Sequence, residues 1–275
     1  MIIEVPYFKY LTHYKLWKFK NKKIVEKYKI DFKVYDGIPN SPWNGGRTPE
    51  NIMPVKGISV SFSLTNVNID NYYDEVSHQI LKEYNIVGNS IIISDLKLCA
   101  MLQDMYSNYT FIYSITAMKL NTLDKDGVQD MLTRYTKIEP LVDYIVPRVE
   151  IMEHPDLLHI INMKQYLILY SYECVYCPFY NEHYNFVNAN QEMKGCWFKT
   201  PKLFDETPFN KDDYDYQYND SRIFFSNMDY FKYNKVAGFK IGRNEQSWEK
   251  MTNEINDIIL KIERDEREEY NEYDK

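Results

Sequence analysis

Cys174 and Cys177 stand in the segment SYECVYCPFYNEHYNF, directly after an apolar run that predicts a β-strand. A Cys-x-x-Cys spacing lets two thiolates reach one metal without strain, as in zinc and iron–sulfur sites. Cys196 follows in KGCWF, later in the same long segment. We therefore expect Cys174, Cys177 and Cys196 to hold a metal, with an iron–sulfur cluster (4Fe-4S) as the favoured cofactor. Zinc, a redox-active dithiol and inert thiols remain the alternatives.

Two further residues bear on this metal site. His183 follows Cys177 in NEHY and is a candidate general acid or base, ligand or anion contact, with a packing role as the alternative. Cys99 lies within LKLCAML, where the apolar pattern predicts the interior of a helix. A cysteine at such a position is typical of a small buried side chain, so Cys99 is the weaker candidate for a fourth ligand.

Polar residues recur where the predicted strands end, which is where an α/β barrel carries its chemistry. We expect an arginine-rich pocket for an anionic small molecule here, because the planar guanidinium grips carboxylate or phosphate with two hydrogen bonds. The candidate site residues, besides His183, are Arg47, Asn66, Arg148, Glu173 and Arg243.

The elements that must position these residues alternate between short β-branched runs and helical segments. The eight predicted strands are Asp31–Asp36, Ile58–Leu64, Ser90–Ser94, Phe111–Thr116, Tyr144–Val149, Tyr166–Ser171, Arg222–Ser226 and Ala237–Ile241. Alternating strands and helices favour parallel strands covered by helices, and eight such strands in about 250 residues favour a closed barrel. The predicted fold class is α/β, with a single (β/α)8 TIM-like barrel domain over residues 1–275.

The predicted helices are Asp70–Tyr84, a segment capped by Asp95, Asp126–Thr136, His154–Asn162, Met228–Asn234 and Glu245–Glu263. Residues 179–219 form a long, polar and Tyr-rich segment after the sixth predicted strand. Long excursions of this kind are more often functional than idle. We interpret this segment as a lid that returns Cys196 to the other two cysteines.

The net charge of −7 is unevenly distributed along the chain. Residues 1–30 carry eight lysines between aromatic residues, which suits either nucleic-acid binding or an amphipathic segment with extended lysine stems. Residues 264–275 form an acidic tail that we expect to be a frayed helix end. No apolar run is long enough for a membrane span or a signal peptide, so we expect a cytoplasmic protein.

Three segments resemble the U32 "peptidase" family and its barrel relatives: WNGGR at Trp43–Arg47, the cysteine segment with its Cys-Pro and His-Tyr, and AGFKIGR at Ala237–Arg243. The resemblance implies a TIM-like barrel and an iron–sulfur protein that assists oxygen-independent hydroxylation of RNA bases or quinone precursors. Family members hold their cluster with four cysteines, whereas this chain offers three clustered ones and Cys99. The RNA-modifying members also carry C-terminal accessory domains, which have no counterpart in the resemblance, and this weakens the expectation of an RNA substrate.

Two classes of function follow from these expectations. In the first, the protein is a hydroxylase-like enzyme that acts on an anionic small molecule or an RNA base. In the second, it is a non-catalytic barrel, such as a phage-borne auxiliary or virion-associated protein, with a structural zinc or no metal. Peptidase activity is disfavoured, because the chain lacks Gly-x-Ser-x-Gly and His-Glu-x-x-His motifs. Arginines that point inward to one cavity beside the cysteines would favour the enzyme. Arginines paired on the surface, with the barrel mouth plugged by apolar side chains, would favour a non-catalytic protein.

Overall fold

Eight parallel strands form one sheet in the computed structural model, which describes residues 1–45, 57–115, 122, 124–171, 174–177, 180, 183, 236–243 and 247–273. The strands are β1 (Ile2–Pro6), β2 (Asp31–Asp36), β3 (Ser59–Leu64), β4 (Ser90–Ile93), β5 (Thr110–Ser114), β6 (Tyr144–Val146), β7 (Leu167–Tyr170) and β8 (Gly238–Ile241). The spatial order is β6-β5-β4-β3-β2-β1-β8-β7. Every strand pair in this order is parallel.

The two ends of this sheet meet, so the sheet is a nearly closed barrel. A single parallel bridge between Ile145 and Tyr166 connects β6 to the start of β7. On the opposite side, β1 lies so close to β8 that a Cβ atom on Gly238 would stand 1.9 Å from the carbonyl oxygen of Ile2. Only glycine permits this approach of two backbones. The predicted (β/α)8 TIM-like barrel is confirmed.

The helices are α1 (Leu11–Lys20), α2 (Lys22–Lys27), α3 (Glu75–Glu83), α4 (Leu96–Met105), α5 (Lys125–Tyr135) and α6 (Trp248–Tyr273). Three of them begin at an aspartate whose side chain accepts a hydrogen bond from a first-turn amide. Asp74 accepts from Ser77 at 2.9 Å, Asp95 from Leu98 at 2.7 Å and Asp124 from Gly127 at 3.0 Å. These caps satisfy amides that a helix start leaves without a partner.

The first strand was missing from the sequence prediction. Residues 1–30 are not a separate basic segment, because Ile2–Pro6 is the central strand β1 and pairs with both β2 and β8. Most aromatic residues that follow it face the core: Tyr14 is fully buried, and Trp17 stacks on Phe32 of β2. Phe19 alone among these aromatic residues is largely exposed. This burial is typical of an amphipathic segment that packs on the barrel.

Seven of the eight predicted strands are present, and their ends lie within three residues of the predicted ends. The eighth predicted strand cannot be compared. That strand, Arg222–Ser226, lies outside the described residues, as do the predicted helix Met228–Asn234 and most of the 179–219 lid. The segment predicted as a helix from His154 to Asn162 is instead a 3-10 helix over Pro155–Ile160.

The acidic tail is part of α6 rather than a frayed end. The helix continues to Tyr273, and Asp265 is buried and bonded to Lys261 at 2.6 Å, one turn earlier. Glu266 accepts hydrogen bonds from Lys27 at 2.7 Å and Tyr28 at 2.9 Å. The end of α6 therefore contacts the end of α2 through an ion pair at the surface.

Candidate functional site

The interior of the barrel contains charged residues at positions that most barrels fill with Val, Ile or Leu. Glu4 of β1 lies level with Lys33 of β2 and Lys240 of β8 in the register of the sheet. The three side chains are almost completely buried. Their contacts reach strands that are not adjacent: Glu4 accepts a hydrogen bond from Ser61 of β3 at 2.7 Å, and Lys33 donates to Ser90 of β4 at 2.6 Å. Such contacts cross the concave inner face, so these side chains line the lumen.

Tyr35 joins this lumen cluster to the carboxyl ends of the strands. The Lys240 ammonium is 3.1 Å from the Tyr35 ring centroid and 3.1 Å from a carboxylate oxygen of Glu4. The Tyr35 hydroxyl donates to the carbonyl oxygen of Ile241 at 2.7 Å. Arg243 lies beyond the end of β8, with its guanidinium carbon 5.4 Å from the same ring centroid. The electron-rich ring therefore stabilises two cations, one in the lumen and one at its mouth.

Arg243 and Asp36 form a buried ion pair at the carboxyl ends of β8 and β2. One carboxylate oxygen of Asp36 accepts from Arg243 and from the Gly37 amide, and the other accepts from the Phe8 amide at 3.2 Å. The side chain of Arg243 is 13% exposed, so the guanidinium is close to the surface without being free in solvent. The ion pair orients Arg243 at the position where barrel enzymes bind substrate.

Backbone strain occurs beside this ion pair. Tyr7, the first residue after β1, has φ 73° and ψ 105°, a conformation that side chains rarely adopt. Its ring centroid is 5.4 Å from the guanidinium carbon of Arg243, and its amide donates to the Tyr35 carbonyl at 3.0 Å. Strained residues of this kind cluster at functional sites.

The loop after β2 is held by amide side chains. Asn44 caps the turn that follows β2, accepting from the Ile38 amide at 2.9 Å and donating to the Ile38 carbonyl. Asn66 donates to the Pro42 carbonyl at 2.8 Å and accepts from the Asn68 amide at 2.8 Å. Asn66 was predicted as a pocket residue, and the structure uses its amide to join two loops. Arg47 lies outside the described residues.

Cys174 and Cys177 form a tight turn after β7, and the Cys177 amide donates to the Cys174 carbonyl at 3.2 Å. Cys177 is buried and Cys174 is partly exposed. Between them, Tyr176 has φ 55°, in the left-handed region. The Tyr176 amide donates to a carboxylate oxygen of Glu150 at 2.8 Å. A single turn therefore joins the backbones of the two cysteines, and it is held by a carboxylate that follows β6.

Arg148 and Glu150 form a second buried ion pair, with both side chains at most 1% exposed. Two nitrogens of Arg148, Nε at 3.1 Å and Nη2, donate to the Glu150 oxygen that also accepts from Tyr176. The Arg148 guanidinium carbon is 4.7 Å from the centroid of Tyr180. Arg148 thus lies beside the cysteine turn, as predicted, although its charge is already paired.

The remaining predicted site residues are placed only in part. His183 is partly buried, and Glu173 and Cys196 lie outside the described residues. Within the described ranges, no group of three or more His, Cys, Asp or Glu side chains converges as a metal site would require. Burial raises the pKa of Cys99 to about 12, so this thiol stays protonated at neutral pH and is a poor ligand.

Sequence reasoning missed several polar residues that the fold brings inside, namely Glu4, Lys33, Tyr35, Asp36 and Lys240. A signal for some of them was present. A charged residue in the middle of an apolar strand, such as Glu4 in IIEVP or Lys240 in GFKI, is rare unless it has a buried partner.

Comparison with known proteins adds no relative: no family model, no curated protein and no solved structure matches this chain. Among the described residues, none of the helices combines the length and apolar composition of a membrane span.

Proposed function

We propose that this protein is a cytoplasmic, U32-like barrel enzyme that binds an anionic small molecule or an RNA base at the carboxyl ends of its strands. Cys174 and Cys177, together with Cys196, would hold an iron–sulfur cluster beside that substrate. The supporting observation is that Arg148 and Arg243 are both largely buried at this end of the barrel, instead of forming ion pairs on the surface.

The two arginines would have different tasks. Arg243 is slightly exposed, and Asp36 orients it, while its Nε–H donates to no partner among the described residues. An anionic group of a substrate would bind this guanidinium, because charge-assisted hydrogen bonds in a partly desolvated place are strong. Arg148 is fully committed to Glu150 and the cysteine turn, so its role would be structural support of the thiols.

The cysteine turn suits the proposed cluster as far as it is described. Iron–sulfur clusters and zinc both require thiolate ligands, and the turn brings two of them together. When bound, a cluster would supply the redox or Lewis-acid chemistry for hydroxylation. The barrel residues would bind the anion and exclude water. Zinc is the structural-metal alternative.

Metal content tests this proposal directly. Protein purified without oxygen should be brown and should contain iron and acid-labile sulfide, and Cys174→Ala should lose both. Cys99→Ala is the matched control and should keep them, because Cys99 is buried in α4 and remains protonated. Colourless protein with one zinc per chain would establish the structural-metal alternative. Wild-type protein without iron or zinc would refute the metal proposal and favour a non-catalytic barrel.

Anion binding is tested separately, with inorganic phosphate as the probe. Phosphate should raise the melting temperature of the wild-type protein and should raise that of Arg243→Gln less. Arg134→Gln, which removes a helix-surface arginine paired with Asp130, should retain the full effect. An equal shift in all three proteins would mean that phosphate does not bind at Arg243.

A further inference from the structure

The turn between the two cysteines contains an unfavourable backbone conformation. Its hydrogen bond, from the Cys177 amide to the Cys174 carbonyl, joins the first and fourth residues of a β-turn. Tyr176 is the third residue and has φ 55°. Glycine is the usual residue at such a position, because a side chain disfavours positive φ. An isolated Cys-Val-Tyr-Cys segment would therefore prefer other conformations, in which this turn does not join Cys174 to Cys177.

Contacts outside the turn compensate for this. The Tyr176 amide donates to Glu150 at 2.8 Å, and this bond is available only when the amide points towards the carboxylate. Glu150 is fully buried, and Arg148 fixes the same oxygen with two of its nitrogens. The Glu150 carboxylate is thus a hydrogen-bond acceptor that Arg148 holds in place. Both residues follow β6 and are distant from the turn in sequence.

The ion pair is also connected to the cysteine turn through Tyr180. The Tyr180 ring lies over the Arg148 guanidinium at 4.7 Å, and the Tyr180 amide donates to the Cys177 carbonyl at 3.3 Å. Arg148, Glu150, Tyr176, Cys177 and Tyr180 therefore form a closed circuit of contacts. These contacts connect the cysteine turn to the ion pair at two points, through Tyr176 and through Tyr180. They therefore restrict the turn more than a single hydrogen bond would.

We propose that Glu150, oriented by Arg148, is a positioning residue that holds Cys174 and Cys177 in the geometry needed to bind one thiophilic centre. The biological identity of that centre rests on the proposed function, but the positioning itself does not. Glu150 acts through the backbone of Tyr176 and does not need to touch the bound centre. Replacement of Glu150 should spread the two thiols, and glycine at position 176 should compensate, because glycine adopts positive φ without strain.

Phenylarsine oxide is a probe for this geometry in metal-free protein. Its arsenic forms one bond to each of two neighbouring thiols, and its oxygen leaves as water with the two thiol protons. The experiment uses a Cys196→Ala background so that only the turn offers a thiol pair, and Cys99 is buried in α4. Cys174→Ala and Cys177→Ala should each abolish tight binding.

In this background, Glu150→Gln should weaken arsenical binding about tenfold, the effect of losing control of one strained residue. The double variant Glu150→Gln with Tyr176→Gly should regain most of the affinity. Glu254→Gln, which changes a buried carboxylate that accepts from Ser171 at 3.0 Å, is the control and should bind as tightly as the background protein. Circular dichroism confirms that each variant is folded at the assay temperature.

Three results would overturn the inference: no tight arsenical binding by the background protein, an unchanged affinity in Glu150→Gln, or a loss that Tyr176→Gly does not restore. These outcomes are distinct from failure of the proposed function. Wild-type protein that lacks iron and zinc but binds the arsenical as expected would refute the metal proposal and still support the positioning role of Glu150.

Discussion

Substitution of Glu4 by leucine tests whether the lumen charges hold the barrel together. Glu4 is completely buried, and its two carboxylate oxygens bond to Lys240 at 3.1 Å and Ser61 at 2.7 Å. Leucine is similar in size to glutamate, so it fills the same space in the barrel interior. The Lys240 ammonium would then keep its contact with the Tyr35 ring but lose its ion pair with the Glu4 carboxylate. The substitution therefore isolates a buried charge without creating a large void.

The expected cost follows from these contacts. Loss of one partner of a buried ion pair costs about 3–5 kcal/mol, because the remaining charge stays desolvated. A domain is stabilised by only about 5–15 kcal/mol in total, so this single change should remove a large fraction of the free energy of unfolding. Removal of both charges, with Lys240→Met in the Glu4→Leu protein, should restore much of the loss, since no charge is then left unpaired.

Guanidinium unfolding measures these differences as shifts in the midpoint at constant slope. Lys27→Met is the control, because Lys27 forms an exposed pair with Glu266 and its loss should change the midpoint little. The reasoning would be refuted if Glu4→Leu were no more destabilising than this control. It would also be refuted if the double variant were less stable than Glu4→Leu alone.

Four further predictions concern other side chains of the protein. The Tyr135 hydroxyl is buried and has no hydrogen-bond partner among the described residues, so Tyr135→Phe should stabilise the protein by about 1 kcal/mol in guanidinium unfolding. Tyr109→Phe should destabilise it by a similar amount of about 1 kcal/mol, because that hydroxyl donates to the Leu81 carbonyl at 2.9 Å. Burial lowers the pKa of His78, so the unfolded chain binds a proton at this residue more readily than the folded protein does. The free energy of unfolding should therefore fall as the pH drops below about 6.5, and it should fall less steeply in His78→Gln. An identical pH profile in the two proteins would contradict this prediction. Iodoacetamide at pH 8 should modify the partly exposed Cys174 in the native protein but not Cys99, because the buried Cys99 thiol has a pKa of about 12. Peptide mass spectrometry measures both modifications, and faster modification of Cys99 would contradict this prediction.

The fold was predictable because local signals agreed with one another. Short β-branched runs such as Ser90–Ile93 alternate with helices that begin at aspartates, and Asp95 caps the helix that the sequence predicts. The strand β1 was missed for a physical reason. Its five residues precede a lysine-rich helix, and the charge of Glu4 in the middle of the strand is inconsistent with a core position until its partner Lys240 is known.

The site was predictable only where the chain itself brings residues together. Cys174 and Cys177 are neighbours in sequence, and their turn forms as expected. The support of that turn by Glu150 depends on the packing of two loops and on a left-handed Tyr176, neither of which follows from spacing. The pairing of Arg243 with Asp36 also arises only because β1 pairs with both β8 and β2, which are distant in sequence.

Barrel closure itself is uneven, and this gives the domain a seam. Among the described residues, β6 and β7 are joined by the single bridge from Ile145 to Tyr166, whereas β1 and β2 pair along five residues. A local opening there would turn the barrel into an open sheet with two edge strands, each able to accept a strand from another molecule. Backbone amides of Tyr144–Val146 should therefore exchange with deuterium earlier than those of β1. Conditions that weaken the seam would promote strand-exchanged dimers before global unfolding.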